Sequence, residues 1–233
     1  MENIRNRRIL KEHKQFPERY GENRIYYKTI EDNINQVYVM IVGPEDTPYH
    51  NGFYCFLATY PDDYPWSPIK VKFLTTESNS RMNPNLYGCG KVCLSILGTW
   101  SGPGWTSLMN IFIVFNSIIG EIFVREPFKN EPGHEKSSIN VNEKYNNYLY
   151  HENLRLAIVN SFTKQTYIKN FDDVIYKYIE DHKDEYLKIY EFYKNQELIN
   201  KDNKFFTTPL WRHVKILNQY DNLCDKFKDI LKI

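Results

Sequence analysis

Hydrophobic and polar positions divide this chain into stretches with different periods. Residues 2–15 are charged nearly throughout, with a thin apolar stripe at Ile4, Ile9 and Leu10. That spacing predicts an exposed helix, and Pro17 lies beyond its expected end as a stop signal. Between residues 25 and 74 the texture changes to short runs rich in Val, Ile, Tyr and Phe, at 25–30, 37–42, 53–60 and 69–74. Turn-forming clusters at 31–35, 43–52 and 61–68 separate them. Consecutive strands joined by such short connections predict a four-stranded antiparallel meander. Pro61, Pro65 and Pro68 exclude a central strand from the last connection.

Residues 75–104 keep no period and are punctuated by Pro84, Gly88, Gly90, Gly98, Gly102, Pro103 and Gly104. An irregular stretch of that length inside a compact domain is commonly functional. From Leu108 the positions Ile111, Phe112, Phe115, Ile118, Ile119 and Ile122 follow helical spacing. Thr106 or Ser107 is the expected cap, and a buried central helix the expected result. A polar loop is expected over 128–138. Helices are expected over 142–162 and 171–196, and a third follows Pro209 through Val214, Leu217, Tyr220, Cys224, Phe227 and Leu231. The order of elements predicts an α+β fold, with helices segregated from one antiparallel sheet.

Composition narrows the function classes. Hydrophobic residues make up 42% of 233, enough for a substantial core. The net charge of +1, with both signs interspersed, gives no basic stripe, so nucleic acid is not the expected partner. No apolar run approaches a membrane span, and the charged N-terminal stretch lacks the apolar region of a signal peptide. Four cysteines in a chain this long do not form a disulfide framework. A protein of the cytoplasm or nucleus is expected, where a thiol stays reduced.

The irregular stretch holds Cys93, in NPNLYGCGKVCLSILGTWSGPGW, residues 83–105. A thiolate there is a candidate nucleophile and acyl carrier; the alternative is a buried structural cysteine. Asn85 could place an amide N–H on a developing oxyanion, or serve as an ordinary turn residue. Cys89 lies four residues before Cys93, but no further Cys/His pair completes a zinc site, so no metal is expected. Cys55 and Cys224 read as core. Trp100 and Trp105 are expected to shape the loop. A hydrolase pairing Cys93 with His134 or His151 is a rival reading, without a recognisable motif behind it.

Longer motifs carry a resemblance. GPEDTPYHNGFYCFLATYPDDYPWSPIKVKF, residues 43–73, followed by NPN and GKVCL, resembles the core of ubiquitin-conjugating (E2) enzymes. Their signature there is H-P-N … G-x-[IV]-C-L, and the likeness covers roughly residues 1–160. NPN in place of HPN, the long GTWSGPGW loop, NEPG at 130–133 and the RLAIVNSF helix are similar to the large branch that contains Use-one (E2-Z) and the E2 domain of BRUCE.

The resemblance implies a UBC-like catalytic core over 1–165 and a helical extension over 166–233, packed on it. It implies that Cys93 accepts ubiquitin or a ubiquitin-like modifier from an E1 activating enzyme and passes it to a substrate lysine, usually with an E3 ligase. ATP is consumed upstream, and no cofactor or membrane is involved. Asn85 falls on the catalytic asparagine. Asn83 replaces a histidine that looks mainly structural. Glu131, with Glu126 as substitute, lies where an acid helps orient or deprotonate the incoming lysine. Arg5 and Arg8, among the cations of the first helix, are implied to meet the activating enzyme, and Trp66 and Ser107 an E3. Thr106-Ser107-Leu108 departs from the usual Ser-Pro-Ala. A non-catalytic modifier-binding module is the other alternative, disfavoured by the presence of Cys93.

Overall fold

The computed structural model describes residues 2–20, 24–77, 80–163, 168–199 and 220–232. Its centre is a sheet of β1 (Ile25–Ile30), β2 (Asn33–Val42), β3 (Phe53–Thr59) and β4 (Lys70–Phe73), antiparallel and in chain order. This is the predicted meander. β2 begins earlier than its apolar run does, because the polar residues Asn33, Asn35 and Gln36 continue the pairing with β1 and β3.

Alternation along β2 and β3 sorts side chains to two apolar faces. Val37, Val39, Ile41, Tyr54, Phe56 and Ala58 pack against α1 (Glu2–Tyr20), α2 (Ile111–Ser117) and α3 (Ile139–Glu152). Met40, Val42, Phe53 and Cys55 face the other way. They pack with Phe171, with Ile175 and Tyr178 of α5 (Asp172–Asp181), with Tyr186 of α6 (Lys183–Ile199), and with Phe227 of α7 (Tyr220–Leu231). Helices α5, α6 and α7 therefore cover the second sheet face. Each large side chain buried there contributes about 1.5–3 kcal/mol. Cys55 and Cys224 are buried in this layer, as read from the sequence. Val214 and Leu217 of the expected last helix lie outside the described residues. No described helix is long and apolar enough to cross a membrane.

Polar bonds hold the second layer to the β2–β3 connection. The Asn51 amide donates to Glu185 Oε2 (2.9 Å), and the Tyr186 hydroxyl donates to Asn51 O (2.8 Å). Asn153 Nδ2 donates to His50 O (2.9 Å).

Three helical expectations need correction. α1 continues through Pro17 to Tyr20. α2 starts at Ile111, capped by Asn110, whose side chain accepts from Ile113 N. Leu108, the apparent first residue of its stripe, is 84% exposed, so neither Thr106 nor Ser107 is the cap. The third correction is the break of the 171–196 helix at His182 into α5 and α6.

Glu12 explains the late start of α2. This buried carboxylate accepts from Arg8 Nε (2.6 Å), the Tyr64 hydroxyl (2.6 Å) and Ile111 N (3.2 Å), one of the orphan donors of the α2 N-terminus. One side chain thus joins α1, the proline-rich loop and α2. Glu12→Gln retains an acceptor but loses the charge. It is expected to lower stability by about 1–3 kcal/mol, read as a lower urea midpoint; an unmoved midpoint would remove Glu12 from the account.

A second buried carboxylate ties the chain before the active loop to α3. Glu152 accepts from Ser80 Oγ (2.6 Å) and from Arg155 Nε (2.8 Å) and Nη2 (2.7 Å). Burial alone would raise its pKa, but hydrogen bonds from Arg155 and His151 outweigh burial and bring it down to about 2. A carboxylate with a depressed folded-state pKa stabilises above its ordinary value of 4.5 and loses that contribution as pH falls through 2. About 3 kcal/mol is involved. The stability difference between wild type and Glu152→Gln, from urea unfolding, should shrink between about pH 5 and about pH 2. A constant difference would contradict the assignment.

Candidate active site

The residues from Asn85 to Cys93 form a small hairpin. Cys93 N donates to Asn85 O (2.9 Å), Tyr87 N to Lys91 O (3.0 Å), and Gly90 N closes the turn on Tyr87 O (2.8 Å). Leu86 and Val92 pair between them and point into the core. The hairpin is fixed to the sheet where Phe73 N donates to Gly90 O (2.8 Å). Gly90 has φ +90°, and a Cβ there would lie 2.7 Å from Phe73 O, so this junction requires glycine.

Beyond Cys93 a 3-10 turn, Ser95–Leu97, reverses the chain. Thr99 holds the reversal, its hydroxyl donating to Val92 O (2.7 Å) and accepting from Leu94 N (3.0 Å). Trp105 anchors the far end of the loop through Nε1 to Pro65 O (2.8 Å).

Asn83 and a helix irregularity complete the frame. α2 runs into a π-helical turn, Ile118–Ile122. The carbonyl of Ile122 accepts from Asn83 Nδ2 (2.8 Å), and that of Glu121 accepts from Asn130 Nδ2 (2.8 Å). Asn83 is fully buried. It also donates to the Tyr49 hydroxyl (2.9 Å), and its Oδ1 accepts from Asn85 N (2.8 Å). Donor and acceptor capacity are both in use, which accounts for an asparagine at this position.

A groove of about 620 Å³ opens over Cys93. Asn85, Leu94 and Ser95 lie with Cys93, Trp100, Ser101 and Pro103 form one wall, and Glu121, Lys129, Asn130, Pro132 and Glu135 the other. A larger cavity of about 870 Å³, between residues 45–50 and α6, contains no cysteine. Chemistry, not volume, therefore selects the Cys93 groove.

Cys93 is 1% exposed, more deeply set than its glycine-flanked position predicts. Burial pushes its thiol up; the Lys91 charge, a hydrogen bond with Tyr87 and the Arg81 charge pull the other way without cancelling it. Asn85 Nδ2 donates to the Cys93 carbonyl oxygen (3.0 Å), while its Oδ1 has no hydrogen-bond partner among the described residues. Cys89 is exposed.

The remaining candidates divide. The Glu131 carboxylate lies 3.8 Å from Arg81 Nη2 and is not part of the groove lining; Glu126 pairs with Lys129 (2.7 Å). The carboxylates that do line it are Glu121 and Glu135. Backbone N–H groups, including that of Gly133 at 3.0 Å, hold the Glu135 carboxyl below the usual carboxylate range. Sequence reasoning passed over both, although Glu121 is the single charged residue between 108 and 124. Neither histidine of the hydrolase reading lines the groove: His134 packs on Phe128 and His151 bonds Glu152.

Arg5 is 8% exposed and donates to Pro61 O (2.8 Å) and Tyr60 O (3.1 Å), so its guanidinium acts as an internal strut. Arg8 reaches Glu12 and Met109 O (3.1 Å). Trp66, 69% exposed, and half-buried Ser107 flank the contact between Pro65 and Trp105.

Comparison with known proteins agrees with this frame. A sequence model described as ubiquitin-conjugating enzyme matches residues 8–156. Probable ubiquitin-conjugating enzyme protein 17 of Caenorhabditis elegans is 42% identical over 168 residues, covering 68% of this chain and 23% of that protein. Human ubiquitin-conjugating enzyme E2 Z is 44% identical over 128 residues, 54% of this chain and 36% of that protein. The human dual E2 ubiquitin-conjugating enzyme/E3 ubiquitin-protein ligase BIRC6 is 37% identical over 170 residues, 68% of this chain and 3% of that protein. The chain thus spans well under half the length of these relatives. With the family sequence matched across helix, meander, active loop and central helix alike, the chain belongs to the ubiquitin-conjugating enzyme family.

Proposed function

We propose that this protein carries ubiquitin or a ubiquitin-like modifier as a thioester on Cys93 and transfers it to a lysine. The observation that carries the reading is Cys93 itself, on a hairpin beside Asn85, facing a groove open to a second reactant. In loading, the Cys93 thiolate attacks the carbonyl carbon of a modifier held as a thioester by an E1 activating enzyme. A new C–S bond forms and the E1 thiol leaves. In transfer, a lysine amine attacks the same carbon. The C–S bond breaks, an isopeptide bond forms, and the amine gives up a proton.

Asn85 has the amide needed for the oxyanion of either step. Glu135 and Glu121 are assigned to attracting the amine and taking its proton. Glu131, tied to Arg81, is assigned to shaping the approach. The long Gly98–Gly104 loop and the likeness to E2 Z and BIRC6 support the Use-one/BRUCE branch. Residues 1–165 are the proposed catalytic core and 166–233 an extension that covers its sheet. The first helix, with Arg8 partly exposed beside Glu12 and Arg5 supporting it from within, is the proposed E1 surface. Trp66 and Ser107 are the proposed E3 surface, where an exposed tryptophan suits an interface anchor. Cytoplasm or nucleus is the proposed location.

The test is to mix the protein with ATP, activating enzyme and modifier. A covalent adduct that disappears on adding a thiol reductant supports the proposal. Absence of an adduct with every activating enzyme and modifier tried would overturn it.

A further inference from the structure

The Cys93 groove has two unlike walls. Glu121 and Glu135 stand with Lys129 and Asn130 on one side, and Trp100, Ser101 and Pro103 on the other. The two tryptophans of the loop are used differently. Trp105 is engaged: its Nε1 donates to Pro65 O (2.8 Å), and its ring centroid lies 6.1 Å from that of Tyr64. Trp100 is 39% exposed, and among the described residues no hydrogen bond or ring contact occupies its side chain. An indole left in that state contributes little to folding, since apolar area stabilises only where it is removed from water. Its position is nonetheless fixed. Thr99, the residue before it, donates from its N–H to Leu94 O (3.2 Å) and from its hydroxyl to Val92 O (2.7 Å). Gly102, two residues after it, has φ +136°, and a Cβ there would lie 3.0 Å from Ser95 Cβ, so the loop folds back onto the 3-10 turn beside Cys93.

We propose that Trp100 is a specificity residue for the acceptor: its indole receives the alkyl stem of the incoming lysine, while Glu121 and Glu135 opposite receive the ammonium. A lysine side chain is a flexible four-carbon stem ending in one compact positive charge. Such side chains bury the stem on apolar surface and keep the charged head in polar surroundings. An ammonium beside an indole face gains a further attraction. The groove supplies both surfaces within reach of the sulfur. Lys129 is paired with Glu126 (2.7 Å), so the two groove carboxylates leave that wall negative. The modifier held on Cys93 has its terminal carboxyl in the thioester and brings no positive charge of its own at that end. Charge complementarity therefore selects the amine as the occupant between the walls. The inference rests on the thioester reading of Cys93.

The experiment loads Cys93, removes the activating enzyme and ATP, and follows discharge to ethylamine, propylamine, butylamine and pentylamine at limiting amine. These amines share one basicity and one attraction to the carboxylates, so chain length alone varies. In each case one ammonium proton goes to a groove carboxylate, and the nitrogen bonds to the thioester carbonyl carbon. The C–S bond breaks, and a second proton leaves with the sulfur as thiol. Rates are divided by those of the same amines with a small thioester in solution. In wild type each added methylene, covered on one side, should speed discharge about 2-fold, so pentylamine should exceed ethylamine about 8-fold. Trp100→Ala should lower that ratio to under about 2-fold, with Trp100→Phe between them. The ratio is taken within each protein, so a general loss of activity cancels. A wild-type ratio near unity would overturn the proposal without any variant, and so would the wild-type ratio in Trp100→Ala. If Trp100→Ala slows loading and discharge to every amine equally, the indole serves the modifier's tail and the proposal is again overturned. A wild type that never loads would overturn the carrier reading, and the acceptor subsite with it. A loaded wild type without length dependence overturns the subsite alone.

Discussion

Cys93→Ala is expected to abolish the modifier adduct, and Cys93→Ser to replace it with one that survives thiol reductants. The first result follows from the lack of any equivalent nucleophile. Cys55 is fully buried behind the sheet, where burial pushes its thiol well up, and Cys224 is buried in the helical layer. Cys89 is exposed on the hairpin turn, without the Asn85 amide or the groove walls around it. The serine variant puts oxygen where sulfur was, so the acyl group is held as an ester that thiols do not exchange. Loading of the serine protein should be slow, because a hydroxyl near neutral pH is a far weaker nucleophile than a thiol. Neither change alters a hydrogen bond that holds the hairpin, since those use the backbone of residue 93, so the unfolding midpoints should stay close to wild type. An adduct that forms on Cys93→Ala at the wild-type rate would sink the thioester assignment. Mass mapping of that adduct to Cys89 would relocate the nucleophile to the turn.

The fold was legible where hydrophobic period and secondary structure coincide. β1 was read with its observed ends, and β3 and β4 within a residue or so, because turn clusters bound their apolar runs. The apolar run of β2 is shorter than the strand, since its first residues are polar and join the sheet by hydrogen bonds instead of apolar packing. Valine, methionine and isoleucine run without alternation over 39–42 because both faces of that strand are buried. That pattern requires a second layer over the sheet, which α5, α6 and α7 provide. The start of α2 was misplaced because Leu108 mimics the helical stripe by spacing alone. The residue that decides the start, Glu12, is 99 positions away from Ile111. The burial of Arg5 is hidden for a similar reason. A cation on a charged helix looks solvated until the carbonyls of Tyr60 and Pro61 are brought to it.

The site divides along the same line. Asn83, Asn85 and Cys93 lie within eleven residues, so their spacing is visible as one motif, and the hairpin keeps them together. The opposite wall was not visible. Glu121, Lys129 and Glu135 reach the groove from the π turn after α2 and the loop that follows; Glu121 stands out as the one charge of an apolar stretch, whereas no local pattern distinguishes Lys129 and Glu135 from solvated charges. Glu131 is implied by the family resemblance alone. A few residues of 3-10 and turn structure then rotate the loop so that Arg81 faces Glu131, while Glu135 faces the groove.

Asn85→Ala is expected to slow discharge of the loaded modifier to an amine by about 100–1000-fold, the cost of losing one oxyanion donor. Loading should fall much less, because exchange between two thiols has a better leaving group and needs less help. In the unloaded protein Asn85 Nδ2 is bonded to the Cys93 carbonyl oxygen, so it must turn away from that oxygen to reach the thioester. The cost of doing so is modest, about 0.5–1.5 kcal/mol for one hydrogen bond. The side-chain oxygen has no partner to resist the rotation. Asn83 meanwhile keeps the Asn85 backbone fixed through its N–H, so the carboxamide can turn without loss of the hairpin. Asn85→Asp preserves shape but presents an acceptor to the developing negative charge, and should discharge no faster than the alanine protein. Single-turnover loading and discharge, measured separately, decide the matter. Equal losses in both steps, accompanied by a lower unfolding midpoint, would make Asn85 a strut of the hairpin and leave the oxyanion without this donor. A loss confined to discharge would mean that the bond to Cys93 is a resting position for the amide, given up when the thioester carbonyl arrives.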